Sequence, residues 1–141
     1  MIILDTNVLS ETLRPSPAAS VSRWMRAQPS TDLFTTTLCK AEIFYGLALL
    51  PASHRRVRLE RAVTAIFDED FAERILPFDG AAARAFAGIA AHRRGLGRPI
   101  NEFDAAIAAI ARSCRATVAT RNLADFSDCG IGVISPWAES G

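Results

Sequence analysis

Four carboxylates, Asp5, Glu42, Asp104 and Asp125, are spread widely along the chain, yet each falls where a strand gives way to a helix or where a helix begins. In an alternating α/β chain such places gather on one edge of the sheet, beyond the carboxyl ends of the strands. Two like charges about 4 Å apart repel by about 4 kcal/mol at an effective dielectric near 20. A pocket of them therefore calls for a divalent cation, or for an arginine supplied by a partner. Hard oxygen donors without sulfur or imidazole select Mg²⁺ or Mn²⁺ rather than zinc. Such an ion can activate a bound water, orient it in line with a phosphodiester and stabilise the leaving oxygen. No protein nucleophile is then required, and neither His54 nor His92 falls near a motif.

Each acid also has a plainer explanation. Asp5 could close an Asx turn. Glu42 and Asp104 are placed in the first turns of helices, where the dipole favours a carboxylate by about 0.3–1 kcal/mol. Asn101-x-x-Asp104 and Asn122-x-x-Asp125 both resemble capping boxes, with asparagine as the cap. Capping explains each acid singly, but not why four should meet at one sheet edge.

The elements that must position them are readable from pattern. Ile2-Ile3-Leu4 is a short apolar run of the kind that forms a central parallel strand covered on both faces. Ser16-Pro17 reads as a cap and first turn, opening a helix to about Ala27. Leu33–Thr36 is β-prone, Leu38–Leu50 is helix-periodic, and a basic amphipathic helix is predicted from His54 to Phe67. Ile75–Phe78 reads as a short strand that Pro77 assigns to an edge or strand end. Gly80–Arg94 and Asn101–Arg115 are helices, the second apolar nearly all round and hence buried. Thr117–Thr120 and Gly132–Ile134 complete the strands. Strands alternating with helices predict one α/β domain over residues 1–141, built on a central, mainly parallel sheet flanked by helices.

Composition sets the bounds. Half of the 141 residues are hydrophobic, which excludes a disordered chain. The net charge is only +1, so no global field argues for nucleic acid. Lys40 is the lone lysine, and the arginines cluster locally as Arg55, Arg56, Arg58 and Arg61, then Arg93, Arg94 and Arg98. These clusters could follow a phosphate backbone or be solvated helix faces. Cys39, Cys114 and Cys129 show no zinc spacing, no signal peptide is evident and no apolar run is long enough to span a membrane. A reduced, cytoplasmic protein is expected.

Four blocks carry a resemblance: Ile3-Leu4-Asp5-Thr6-Asn7-Val8-Leu9-Ser10-Glu11, Ala41-Glu42-Ile43 with Gly46, Pro99-Ile100 with Asp104-Ala105-x-Ile107-Ala108, and Ala119-Thr120-Arg121-Asn122-x-x-Asp125-Phe126. In order and spacing the chain resembles PIN-domain ribonucleases, and within them the VapC toxins of type II toxin–antitoxin pairs. Arg14-Pro15, Ile75–Asp79 and Pro136-Trp137 resemble the FitB-like branch. The resemblance implies a PIN fold, a homodimer, Mg²⁺-dependent cleavage of RNA such as tRNA, with Mn²⁺ as a substitute, and inhibition by a DNA-binding antitoxin of the VapB or FitA type. It implies Asp5 and Asp104 as the primary metal ligands, with Glu42 joining directly or through water. Thr6, Asn7 and Thr120 would orient the carboxylates. Many relatives carry a fourth acid where this chain has Asn122, and Asp125 is the nearest carboxylate that could substitute. One strong metal site is therefore expected, with any second ion arriving with substrate. Arg121, inside the last block, is the phosphate-binding candidate, while Trp24 and Trp137 are expected to pack rather than stack on bases.

Two other functions compete. A phosphatase of the haloacid-dehalogenase type also opens with an Asp after a buried strand, but expects an acid where Asn7 stands and a suitably placed lysine. A PIN-fold partner that regulates a DNA-binding antitoxin, with little catalysis, would leave the cellular phenotype insensitive to Asp5→Asn.

Overall fold

The first strand, β1 (Ile2–Leu4), ends in the middle of a five-stranded sheet whose every pairing is parallel. In the computed structural model, which describes residues 1–138, the chain continues into α1 (Thr6–Thr12) and α2 (Ala19–Ala27). The last three positions of the expected 1–141 span lie outside the described residues. Strand β2 (Leu33–Thr36) then runs without a loop into α3 (Thr37–Ala48), because Thr36 is at once the last strand residue and the N-cap, its hydroxyl accepting from the Cys39 amide at 3.1 Å. Helix α4 (His54–Ala65), β3 (Ile75–Leu76), α5 (Gly80–Gly95), α6 (Glu102–Cys114), β4 (Thr117–Ala119) and β5 (Val133–Ile134) follow.

The strand order is β3-β2-β1-β4-β5. The chain first winds outward from β1 to one edge, then crosses back to the other side through β4. The reversal falls between β1 and β4, and such a switch point is where doubly wound sheets bind ligands. Ile3, Leu4, Val118 and Ala119 are fully buried, as strands covered on both faces must be. Helix α6 is buried over its whole Ala105–Ala111 run. Five alanines in that run let the helix lie close to the sheet and to α5.

Several expected boundaries move for physical reasons. The stretch after Asp5, to which pattern assigns no element, forms α1, capped by Asp5 itself. Helix α2 begins at Ala19 rather than at Pro17, because the Ala18 amide is taken by Glu11 Oε1 at 2.9 Å and no side chain caps the helix. Helix α4 passes at Ile66 into a π-helical turn through Asp70, which turns both Phe67 and Phe71 into the core. With α3 starting at Thr37, Glu42 lies in its second turn rather than its first. The apolar edge strand at Ile75 is present, ending before Pro77. Trp24 and Trp137 pack against the core.

A candidate metal centre at the sheet's carboxyl edge

Asp5 emerges from β1 at the switch point and is 6% exposed. Its Oδ1 accepts from the Thr6 amide at 2.8 Å. Its Oδ2 accepts from Thr120 Oγ1 at 2.8 Å and from Asn7 Nδ2 at 3.3 Å. Thr120 follows β4, so one hydroxyl ties the ends of the two strands that flank the switch point. The same Oγ1 accepts from Asn7 Nδ2 at 3.2 Å and from the Asn122 amide at 3.1 Å. Asn7 Oδ1 in turn accepts from the Arg121 amide at 3.2 Å. Burial pushes the Asp5 carboxyl above its ordinary range; the bonds from Thr120 and Thr6 oppose the rise, and the charge of Asp125 adds to it.

Asp104 enters from α6. Asn101 caps that helix, its Oδ1 accepting from the Asp104 amide at 2.8 Å. The reciprocal bond of a capping box is not made among the described residues, so the Asp104 carboxylate is left for other work. Its pKa is pushed up to about 6, by burial first and then by the charges of Asp5, Asp125 and Glu42, with Arg93 opposing. Glu42 reaches the same place from α3, and burial with the charge of Asp5 raises its carboxyl as well. Between them Thr6 Oγ1 is buried and faces Glu42 and Cys39, yet makes no bond of proper geometry. Asp5, Thr6, Glu42 and Asp104 line one cleft of about 500 Å³.

The remaining sequence candidates divide. Asn122 lines the cleft, and its side chain caps nothing, so the second capping box does not form. Asp125 lies on the exposed 3₁₀ turn Leu123–Phe126, at the rim, and acts on Asp5 and Asp104 through its charge. Arg121 lines the cleft with its guanidinium 5.1 Å from the Trp137 ring. The arginine clusters stay out of the cleft lining: Arg55, Arg58 and Arg61 are exposed on α4, and Arg93 is buried.

The opposite wall was missed by sequence reasoning. Ser10, Glu11, Arg14 and Trp137 complete the cleft. Glu11 is buried and accepts from the Ala18 amide at 2.9 Å and from Arg14 Nη1 at 3.2 Å. These bonds, the Ala18 amide foremost, hold its carboxyl below the usual range. The missing signal was α1 itself: at helical spacing Asn7, Ser10 and Glu11 share one face, and Arg14 follows in the turn just past its end.

Do these residues suit a cation? Among the described residues no three histidine, cysteine or acidic groups stand close enough to form a ready-made cage. Mg²⁺ does not need one, because it keeps several waters and binds through one or two carboxylates. An oriented Asp5, two carboxylates with raised pKa and an orphaned hydroxyl form a donor set of that kind.

The PIN domain family profile matches residues 2–130. The chain is 40% identical over 137 residues to the plasmid stability protein StbB of Pseudomonas syringae pv. tomato, covering 97% of this chain and 99% of that one. It is 36% identical over 137 residues to the VapC ribonuclease Y4jK of Sinorhizobium fredii, covering 97% and 98%. A chain in a structure of FitAB bound to the IR36 DNA fragment superposes with a TM-score of 0.94 at 35% identity, over 100% of this chain and 99% of that chain. With its fold, its cleft and these relatives agreeing, the chain belongs to the PIN-domain family, in the branch that holds the VapC ribonucleases and FitB.

Proposed function

We propose that this chain is the toxin of a type II toxin–antitoxin pair and that it cleaves RNA as a Mg²⁺-dependent endoribonuclease, Mn²⁺ substituting. The observation that carries this reading is the convergence of Asp5, Glu42 and Asp104 on one cleft at the switch point. Asp5 and Asp104 would hold the ion, and Glu42 would join directly or through water. The bound ion supplies an activated water and charge stabilisation for the leaving oxygen.

The chain's own residues do the rest. Thr120, Asn7 and the Thr6 amide fix both oxygens of Asp5, so the carboxylate meets the reaction already oriented. Arg121 stands across the cleft, braced on Trp137, and would bind a phosphate of the strand being cut. Asn122 presents an amide where an acid would hold a further ion, which favours a single resident metal. The partners are an RNA substrate, with tRNA the first to test, a second copy in a homodimer, and a DNA-binding antitoxin of the VapB or FitA type. The cytoplasm is the expected site of action; no helix among the described residues is long and apolar enough to cross a membrane. Family membership removes the phosphatase alternative, and Lys40 lies over the Phe67 ring rather than in the cleft.

The test uses purified, antitoxin-free protein with total cellular RNA, in Mg²⁺ or chelator, beside Asp5→Asn. Discrete fragments that require both the metal and Asp5 are expected. The likeness to a DNA-bound toxin–antitoxin complex favours a second reading, a partner that regulates its antitoxin with little catalysis. Intact RNA throughout, together with growth arrest unchanged by Asp5→Asn, would establish that reading instead.

A further inference from the structure

Arg93 is a charged residue that the fold has put inside. It lies near the end of α5 and is 6% exposed. No carboxylate among the described residues pairs with it. Two of its guanidinium nitrogens, Nε and Nη1, are met by main-chain carbonyls. Nε donates to Arg98 O at 2.8 Å, and Nη1 donates to Asp125 O at 2.9 Å and Ser127 O at 3.0 Å. The same Nη1 lies 3.9 Å from Cys129 Sγ. A buried cation with only neutral partners is unfavourable unless its geometry is good, and a hydrophobic side chain would fill the space at less cost. What a hydrophobic side chain would not do is hold three carbonyls from two separate loops at one group.

Those loops matter for the cleft. The Arg98 loop leads into Asn101, the cap of α6, and so into Asp104. The other loop carries Asn122 and Asp125 from the end of β4. We propose that Arg93 is a positioning residue, a clamp that fixes the start of the Asp104 helix against the Asn122–Asp125 turn and so sets the width of that side of the metal centre. This rests on the metal-centre reading proposed above.

Two surroundings agree with it. Outside the clamp, the exposed Arg98 side chain ties the same loops again, pairing with Asp128 and donating to Ser127 Oγ at 3.2 Å. Inside it, the buried Cys129 lies 3.9 Å from Arg93 Nη1 and donates its thiol to Ser127 O at 3.4 Å, packing the same loop onto the guanidinium. An arginine is needed because its rigid fork meets several acceptors at fixed angles, whereas a lysine ammonium is a point charge on a flexible stem.

The test compares wild type, Arg93→Lys, Arg93→Met and the destabilised control Val63→Ala, a buried site on α4. Hydrogen exchange is read without metal or RNA, and Mn²⁺ affinity is read by the resonance of the free ion. Both Arg93 variants should lose protection over residues 98–104 and 122–127, with Mn²⁺ affinity falling roughly tenfold or more, the range for outer groups that orient ligands. Val63→Ala should lose thermal stability but keep both properties. Should Arg93→Met fail to fold, Arg93→Lys decides: wild-type exchange and affinity in that variant would overturn the clamp, and loss of either with a modest change in Tm would support it. Wild type that binds no Mn²⁺ would end the metal reading, while the exchange arm would still decide whether Arg93 holds the two loops.

Discussion

Asp104 carries a sign that can be read in solution. Its folded carboxyl titrates near 6 against an ordinary value of 3.8. Between those values the folded state binds the proton more tightly than the unfolded chain, so stability falls as pH rises through the window. The contribution from Asp104 is fully present below about 4 and gone above about 6. Asparagine does not titrate. In chelator, Asp104→Asn should therefore match wild type in acid and exceed it increasingly at neutral pH, read as urea midpoints across the range. Glu11, whose pKa is shifted the other way, is present in both proteins and drops out of the difference. Added Mg²⁺ should close the gap at neutral pH, since it binds the ionised wild-type carboxylate and has less to hold in the variant. A gap that stays flat with pH would mean that neither burial nor the neighbouring charges raise Asp104 as described.

At the scale of elements, the cap of α6 and the carboxylate it delivers are different residues. Asn101→Ala should cost about 1 kcal/mol in denaturant unfolding, the usual value of a lost cap. It should also reduce RNA cleavage by more than the unfolded fraction accounts for, because the loosened first turn carries Asp104. Activity that merely tracks the folded fraction would show that the turn holds without its cap. The sequence made α6 legible because Asn101 is a polar stop before a long apolar run. It hid α1, because the helix is short and its cap Asp5 is also the site residue. The second Asn-x-x-Asp pattern misled for the opposite reason. There the turn is a 3₁₀ piece held by its backbone, Asp125 N donating to Asn122 O at 3.1 Å, and no side-chain cap is used.

The molecule as a whole has little long-range field, with a formal charge of +1. The proposed binding to RNA must then come from a few contacts at the cleft rather than from general attraction. Measured with the inactive Asp5→Asn protein in chelator, Arg121→Ala should flatten the salt dependence of RNA affinity by about 0.7 in log–log slope, the loss of one single-strand phosphate contact. Replacing Arg55, Arg58 and Arg61 together should leave that slope nearly unchanged; the reverse pattern would move the RNA track to α4. The alternation of strands and helices made the parallel sheet and its ligand edge legible from sequence. The Arg93 clamp was not, since a buried and an exposed arginine look alike in a string of letters and only the tertiary fold separates them. The Asp5–Thr120 bond has one more consequence, which concerns time. It joins residues 115 positions apart. A ribosome therefore makes Asp5 long before its orienting hydroxyl, and a chain released between the two carries the carboxylate without the partner that aims it. The cleft is complete only once Arg121, Asn122 and Trp137 have also been made, so its chemistry belongs to chains that carry both segments.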